Sequence, residues 1–327
     1  MRLIKKSLVM VLAVGVMASV TICAGQAFAQ KKIKVGVSIH TLEAPYFVAE
    51  IEAIKKKAAE SGIEVVSADG AGDMTKQISD IEELLAQKID LLIIDPKDPK
   101  GLVPSTKLAT DANVPVVIMD SSIDPSADFV TMVQSDNQAN GKLVGAWLAA
   151  QMAGTPIKMG LISGVKGNWA GEERRQGVFR GLTEAQLQAN SSAGFEVVAQ
   201  GWGSWSHEGG LAAMENMIGS HPDMNVLLTE NDSMALGALE VIKEAGKEKD
   251  ILIVAAADAQ KEALALIKSG QYGATGLNNP ALIAETALEI GLKYLNGERN
   301  IPKMYYTPAV CITKDNVDQY YDPNAIF

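Results

Sequence analysis

Aromatic and short polar side chains recur together in this chain, at the ends of short apolar runs and in the loops that follow them. The set comprises His40, Tyr46, Phe47, Asp120, Ser121, Glu173, Trp205, Asn231, Asp258 and Asn278. Carboxylate and amide groups bind hydroxyl groups as planar acceptors and donors, and an aromatic ring offers a platform for the apolar face of a sugar. Singly, each residue fits a helix cap or a core position. Their recurrence at equivalent positions favours one pocket for a polyhydroxylated ligand.

The corner at Asn231 and Asp232 lies between the apolar run Val226–Thr229 and a helical pattern that ends at Gly246. Such an apolar run predicts a buried parallel strand. A polar pair after it can cap the helix, because side-chain oxygens accept from the first backbone N–H groups. It can also face a ligand, because open α/β sheets bind ligands at the carboxyl ends of their strands. The corner by itself favours the cap.

Short apolar runs alternate with amphipathic stretches from Ile33 onward. Runs rich in Val and Ile, bounded by Gly, Pro and Asp, are typical of strands buried on both faces, and the stretches between them have helical spacing. The alternation restarts after Ser135 and Asp136. We therefore predict an α/β fold with two doubly wound, Rossmann-like parallel-sheet lobes.

Residues 1–29 have the pattern of a secretory signal peptide. Arg2, Lys5 and Lys6 form a basic segment, Leu8–Val20 is almost wholly apolar, and the sequence AFA at 27–29 provides a small–x–small cleavage pattern. We predict cleavage between Ala29 and Gln30. The apolar run is shorter than the ~20 residues that a membrane-spanning helix needs.

The composition argues against several classes of function. The net charge is −10 and no basic cluster follows the N-terminus, so we expect no nucleic-acid partner. Three His and two Cys residues are scattered along the chain and predict no metal site. The sequence has neither a Gly-x-Ser-x-Gly elbow nor a Walker A loop. We therefore expect no catalytic residue, no cofactor and no enzymatic activity.

Five motifs together resemble the periplasmic ribose-binding-protein family, the substrate-binding components of bacterial sugar ABC transporters. The motifs are TLEAPYFV, VPVVIMDSS, VQSDNQANGKLVG, ENDSMALGAL and IVAAADA, and the resemblance runs from Lys34 to about Lys314. The signal peptide separates the chain from related repressors, which carry an N-terminal helix-turn-helix. The resemblance implies a monomeric type I periplasmic binding protein, located in the periplasm, with a ligand cleft between two lobes.

The resemblance also implies three crossings between the lobes, near Ser135–Asp136, Asn278–Asn279 and Thr307–Pro308. The N-terminal lobe would comprise residues 33–135 and 279–307, and the C-terminal lobe residues 136–278 and 308–327. The protein would close around a sugar or polyol and deliver it to a membrane permease of an ABC transporter. A chemoreceptor or sensor kinase is an alternative partner, and a secreted enzyme on the same kind of fold is a less favoured alternative.

In the N-terminal lobe, the family's ligand positions fall on His40, Ala44, Tyr46 and Phe47. The two aromatic residues match a pair that sandwiches the sugar ring. Asp120 matches a strand-end aspartate that accepts hydrogen bonds from hydroxyl groups.

In the C-terminal lobe, Trp205 matches an aromatic position, and Asn231, Asp258 and Asn278 match polar ligands. The resemblance thereby changes the interpretation of the corner at 231, where ligand contact is now favoured for Asn231. Asp232 keeps the role of a cap or a support for its neighbour.

Two positions depart from the ribose binders. Ser121 stands where they carry an arginine, and Glu173 takes the place of a second arginine unless one gap puts Arg174 there. These departures make ribose itself doubtful. A pocket richer in acceptors suits a polyol, an inositol, another monosaccharide or an amino sugar, and the last would pair an ammonium group with a buried carboxylate. The sequence does not rank these ligands.

Overall fold

The structure is a computed structural model that describes residues 32–327. The signal peptide and the cleavage site that we predict after Ala29 lie outside the described residues. Within residues 32–327, no helix has both the length and the apolar character needed to cross a membrane.

Twelve strands and nine α-helices make up the described part of the chain. The strands are β1 (Lys34–Ile39), β2 (Glu64–Asp69), β3 (Leu91–Ile94), β4 (Val116–Met119), β5 (Thr131–Ser135), β6 (Lys158–Ser163), β7 (Glu196–Trp202), β8 (Val226–Thr229), β9 (Leu252–Asp258), β10 (Ala274–Leu277), β11 (Met304–Thr307) and β12 (Cys311–Ile312). The helices are α1 (Pro45–Glu60), α2 (Met74–Ala86), α3 (Val103–Asp111), α4 (Asn137–Gln151), α5 (Trp169–Asn190), α6 (His207–Ile218), α7 (Asp232–Glu244), α8 (Lys261–Ser269) and α9 (Pro280–Leu295), and a short 3₁₀ helix spans Val317–Gln319.

The strands form two six-stranded sheets. The first has the order β11-β5-β4-β3-β1-β2 and is parallel throughout, and the second has the order β12-β10-β9-β8-β6-β7 with only β12 antiparallel. Within residues 32–327 the chain passes between the sheets three times, after β5, after β10 and after β11. The predicted fold of two doubly wound parallel-sheet lobes is confirmed.

Each sheet has a hydrophobic core on both of its faces. In the lobe built on the first sheet, hereafter the first lobe, α1 and α9 cover one face and α2 and α3 cover the other. In the second lobe, α6, α7 and α8 cover one face and α4 and α5 cover the other. Burial on both faces explains why the strands are nearly continuous apolar runs.

Helices α4 and α5 contact each other backbone to backbone. A Cβ atom on Gly145 would lie 2.1 Å from the Val178 carbonyl oxygen, and one on Gly181 would lie 2.0 Å from the Lys142 carbonyl oxygen. No side chain fits at such distances, so glycine allows these two helices to pack this closely. The packing fixes the position of α5, which carries part of the candidate site.

Candidate functional site

The predicted site residues lie at the carboxyl ends of strands of both sheets. His40 follows β1, Asp120 follows β4, Asp258 ends β9, and Asn278 follows β10. Tyr46 lies in the first turn of α1, directly after the loop that carries His40. The carboxyl ends of parallel strands are where doubly wound sheets bind ligands.

A continuous chain of polar contacts joins the two lobes. The Tyr46 hydroxyl donates to Asp120 Oδ1 at 2.6 Å and lies 3.1 Å from Asn278 Oδ1. The Asn278 amide donates to Asp258 Oδ1 at 2.9 Å, and Arg174 Nη2 lies 3.2 Å from the same oxygen. Burial and the charge of Asp120 raise the pKa of Tyr46 well above its usual value, so the hydroxyl stays protonated and available as a donor.

Aromatic rings of the first lobe pack edge to face at this position. The Phe47 ring lies 4.3 Å from the His40 ring and 5.3 Å from the Tyr46 ring, measured between centroids. The Phe327 ring lies 5.1 Å from Tyr46 on another side, at an interplanar angle of 86°. Lys261 of α8 donates to the Ala325 carbonyl at 2.7 Å. The last residues of the chain therefore connect the second lobe with the first.

His40 is oriented by a buried carboxylate. Its Nδ1 atom lies 2.7 Å from Asp95 Oδ2, and the Asp95 side chain is fully buried. Burial lowers the pKa of His40, but the hydrogen bond and the negative charge of Asp95 outweigh it, and the net effect is a raised pKa. The backbone N–H of Ser121 donates to Asp95 Oδ1 at 3.3 Å. Asp95 thus holds two of the predicted residues in place.

Asp120 has a strongly perturbed carboxyl group. Its backbone is in the left-handed region, with φ of 55°, a conformation that aspartate tolerates better than most residues. Burial, followed by the negative charge of Asp95, raises the pKa of Asp120 to about 7, although the hydrogen bond from Tyr46 acts in the opposite direction. At neutral pH this carboxyl group exists in both protonation states.

Arg174, and not Glu173, joins the predicted residues. In addition to its contact with Asp258, Arg174 donates through Nε to Asn137 Oδ1 at 2.9 Å, and its guanidinium lies 5.6 Å from the Trp205 ring centroid. Within residues 32–327, Glu173 has no hydrogen bond or ion pair with the other predicted residues, and it accepts from Asn137 Nδ2 at 3.4 Å. Of the two alternatives left open by the sequence, the structure brings the arginine to the other predicted residues.

Trp205 and Asn231 hold each other in place. The Trp205 ring fits against Gly164, where a Cβ atom would lie 2.1 Å from the indole. The Asn231 amide donates to the Trp205 carbonyl at 3.1 Å, and its Oδ1 accepts from the Met234 N–H at 3.1 Å. Asn231 is therefore the N-cap of α7. Its contact with ligand, for which one lone pair and one N–H are left, stays a prediction.

Asp232 supports the backbone around Asp258, whereas the sequence had assigned it to capping the helix or supporting its neighbour Asn231. Its Oδ2 accepts from the backbone N–H groups of Asp258, Ala259 and Gln260 at 3.1, 2.7 and 2.9 Å, and its Oδ1 accepts from the Tyr272 hydroxyl at 2.7 Å. Burial and the charge of Asp258 raise the pKa of Asp232 to about 6. This carboxylate fixes the loop that carries Asp258.

Three residues at the site were missed by sequence reasoning: Glu50, Asp95 and Phe327. Asp95 directly follows the apolar run of β3, so the rule that singled out Asp120 applies to it equally. Glu50 is an acid on the apolar face of α1, one turn after Tyr46, and is fully buried. An acid at a core position was a usable signal. No sequence signal indicated the path of the C-terminal residues.

The arrangement offers hydrogen-bond donors and acceptors to a ligand. Its hydrogen-bonding groups are carboxylates, an amide, a phenol and a guanidinium, flanked by aromatic rings. Among residues 32–327, no three His, Cys, Asp or Glu side chains gather as a set of metal ligands.

Comparison with known proteins places these features in context. A family model described as a periplasmic binding protein domain matches residues 35–299. The ribose import binding protein RbsB of Bacillus subtilis is 35% identical over 270 residues, which are 83% of this chain and 84% of the relative.

Solved structures show the same architecture. An ABC transporter solute binding protein from Mycobacterium smegmatis with bound glycerol is 30% identical and has a TM-score of 0.77, covering 90% of this chain and 98% of that chain. The Caulobacter myo-inositol binding protein, bound to myo-inositol, is 28% identical with a TM-score of 0.76, covering 88% of this chain and 95% of that chain.

Proposed function

This chain belongs to the periplasmic binding protein family, and on that basis we propose that it captures a monosaccharide or related polyhydroxylated ligand and delivers it to an ABC-transporter permease. The family resemblance inferred from the motifs is confirmed by these comparisons. The relatives named above bind ribose, glycerol or myo-inositol, so their shared ligand chemistry is the polyhydroxylated carbon frame.

The observation that carries the proposal is the chain of contacts from Asp120 through Tyr46 and Asn278 to Asp258. It brings hydrogen-bonding groups from both sheets to one place. A ligand bound there contacts both lobes and stabilises the closed arrangement, because only that arrangement offers all of the contacts.

The lobes in this proposal are residues 33–135 with 279–307 and residues 136–278 with 308–327, and the hinge comprises the three crossings. The sheet membership of β11 and β12 supports this division. The protein acts in the periplasm after removal of residues 1–29. It performs no reaction on its ligand, and its partner is the permease.

A thermal-shift screen tests the proposal. Pentoses, hexoses, polyols, inositols and amino sugars are compared, and a true ligand at about 100 times its dissociation constant adds about 2.7 kcal/mol of stability. Trp205→Ala and Asp258→Ala should each abolish the shift. Trp202→Ala serves as the matched control, because Trp202 is exposed on β7 outside the site. The proposal fails if no compound of these classes raises the midpoint of the parent protein.

A further inference from the structure

Glu50 is a buried carboxyl group without a partner. Its side chain is fully buried, and neither Oε1 nor Oε2 has a hydrogen bond within the described part of the chain. It lies on α1 one turn after Tyr46, and its charge interacts with those of Asp95 and Asp120. A carboxyl group is costly to bury unless it is paired or stays protonated. Because Glu50 lies close enough to Asp95 and Asp120 to interact with their charges, we ask what its carboxyl group does at the site.

The charges around the site are unequally paired. Titratable and cationic groups that face it are His40, Tyr46, Glu50, Asp95, Lys97, Asp120, Arg174, Asp232 and Asp258. His40 pairs with Asp95, and Arg174 pairs with Asp258. Within residues 32–327, neither Glu50 nor Asp120 has a cationic side chain within 4.0 Å. Two carboxyl groups in this part of the site therefore have no directly paired cation, although the charges of Arg174 and His40 act on Asp120 from farther away.

One oxygen of Asp120 remains available. Asp120 Oδ1 accepts from Tyr46, whereas Oδ2 accepts no hydrogen bond from residues 32–327, and the side chain is partly exposed. A ligand group that reaches this oxygen meets Asp120 directly, with the Glu50 carboxyl behind it. Glu50 is fully buried, and electrostatic interactions at a buried position are stronger than in bulk solvent.

We propose that the ligand carries an ammonium group on its polyhydroxylated frame, and that this group binds to Asp120 while Glu50 supplies a second, non-contacting negative charge. The inference rests on the function proposed above and narrows its ligand class to amino sugars and amino polyols. An ammonium group is a donor only, so it matches carboxylate acceptors better than a hydroxyl group does.

The protonation states link this binding to proton release. Burial and the charges of Asp95 and Asp120 raise the pKa of Glu50 well above its usual value, so the carboxyl group of the free protein is protonated. A positive charge placed beside Asp120 favours the ionised form of both acids. The free protein thus keeps Glu50 protonated and Asp120 partly protonated, and the cationic ligand displaces protons when it binds.

Calorimetric titration of the purified protein with matched compounds tests the inference. Each amine is compared with its parent alcohol and its N-acetyl derivative, using glucosamine, galactosamine and an inosamine, at about pH 6.5, where such amines are protonated. We expect one amine to bind roughly 10- to 100-fold more tightly than both neutral analogues. Titration in two buffers of different protonation enthalpy should show net proton release for the amine and none for the neutral analogues.

Two variants separate the role of Glu50 from a structural one. Glu50→Gln keeps the shape and removes the charge, and should reduce the preference for the amine over its parent alcohol about tenfold. Glu52→Gln, at an exposed position of the same helix, should leave both affinities unchanged. Should Glu50→Gln fail to fold, the proton release of the parent protein still decides the matter.

The possible failures are distinguishable. If neutral parents bind as tightly as the amines, or an amine binds without proton release, the inference is wrong and the proposed function stands. If calcium or sodium chloride restores tight binding of a neutral sugar, the counter-ion is inorganic and the inference is also wrong. If none of these compounds binds, the inference is wrong, and the proposed function fails only if the wider thermal-shift screen also finds no ligand.

Discussion

Arg174 Nη2 lies 3.2 Å from Asp258 Oδ1, and only 10% and 9% of the two side chains are exposed. The arginine comes from α5 and the aspartate from the end of β9, so the pair joins two elements of the second lobe. Each side chain makes further contacts in the site, Arg174 with Trp205 and Asp258 with Asn278. This ion pair is therefore a structural link at the centre of the candidate site.

Replacement of Arg174 by methionine should destabilise the ligand-free protein. Asp258 would stay buried without its cation, and breaking a buried pair in this way costs about 3–5 kcal/mol. Urea unfolding measures the effect. Arg180→Met on the same helix is the control, because Arg180 is exposed and pairs with Glu184, and should change stability by less than about 1 kcal/mol. Equal losses of stability in Arg174→Met and Arg180→Met would show that the buried pair with Asp258 does not stabilise the protein more than an exposed pair does.

Removal of the Tyr46 hydroxyl should weaken the connection between the lobes. Tyr46→Phe leaves Asp120 and the buried Asn278 without this donor, which should cost about 1–3 kcal/mol of stability and reduce ligand affinity. Tyr305→Phe, on an exposed residue of β11, should change neither quantity. Urea unfolding and calorimetry measure the two effects, and a Tyr46→Phe protein as stable as its parent would show that the contact is not needed.

The stability of the ligand-free protein should fall as the pH rises. Because burial and the charge of Asp95 raise the pKa of Asp120 to about 7, the folded protein keeps a proton that the unfolded chain loses near pH ~3.9. The contribution of Asp120 to stability is therefore fully present at a pH below the pKa of the unfolded chain, and it is lost as the pH rises through about 7.

Thermal unfolding between about pH 4 and pH 8 tests this direction. Asp120→Asn removes the titrating group and should make the decline shallower. Asp232, with a pKa raised to about 6, should still contribute a smaller decline at lower pH. Asp111→Asn, at an exposed position, should give the parental profile. A variant at 120 with an unchanged slope would show that this carboxyl group does not titrate as described.

Insertion of one methyl group between α4 and α5 should disturb the site from a distance. In Gly145→Ala the new Cβ would lie 2.1 Å from the Val178 carbonyl, so the helices must separate, at a cost of about 1–3 kcal/mol or more. Because α5 carries Arg174, ligand affinity should fall as well. Gly194→Ala, where a Cβ meets open space, should be nearly neutral in both assays. Undiminished ligand affinity in Gly145→Ala would show that the packing of α4 against α5 does not affect the site.

The periodicity of the sequence predicted both sheets, because strands buried on two faces must be apolar throughout. It did not predict β11 and β12, which are short and irregular in composition. The sequence MYYT of β11 becomes a strand through its pairing with β5, and the two residues of β12 through their pairing with β10. Such edge pairings are decided by tertiary contacts and leave no local pattern.

The site was predictable where one rule sufficed. The rule is that polar side chains at the carboxyl ends of parallel strands lie close together. It selected Asp120, Asp258 and Asn278, which all belong to the chain of contacts between the lobes. The choice between Glu173 and Arg174 was not decidable, because neighbouring helical residues point in directions about 100° apart and the motif allowed either register.

Asp232 fixes the backbone of the loop after β9 through three successive N–H groups. Ala259 contributes only its backbone N–H to this interaction, so the loop is held by a side chain of α7 and not by side chains of its own. A substitution at 258 therefore leaves this backbone support in place but removes the partner of Arg174. A directed-evolution library aimed at new ligand selectivity should vary 258 together with 174 and keep Asp232 and Tyr272 constant. Ala259 should also stay unchanged, because its backbone has a φ of 75°.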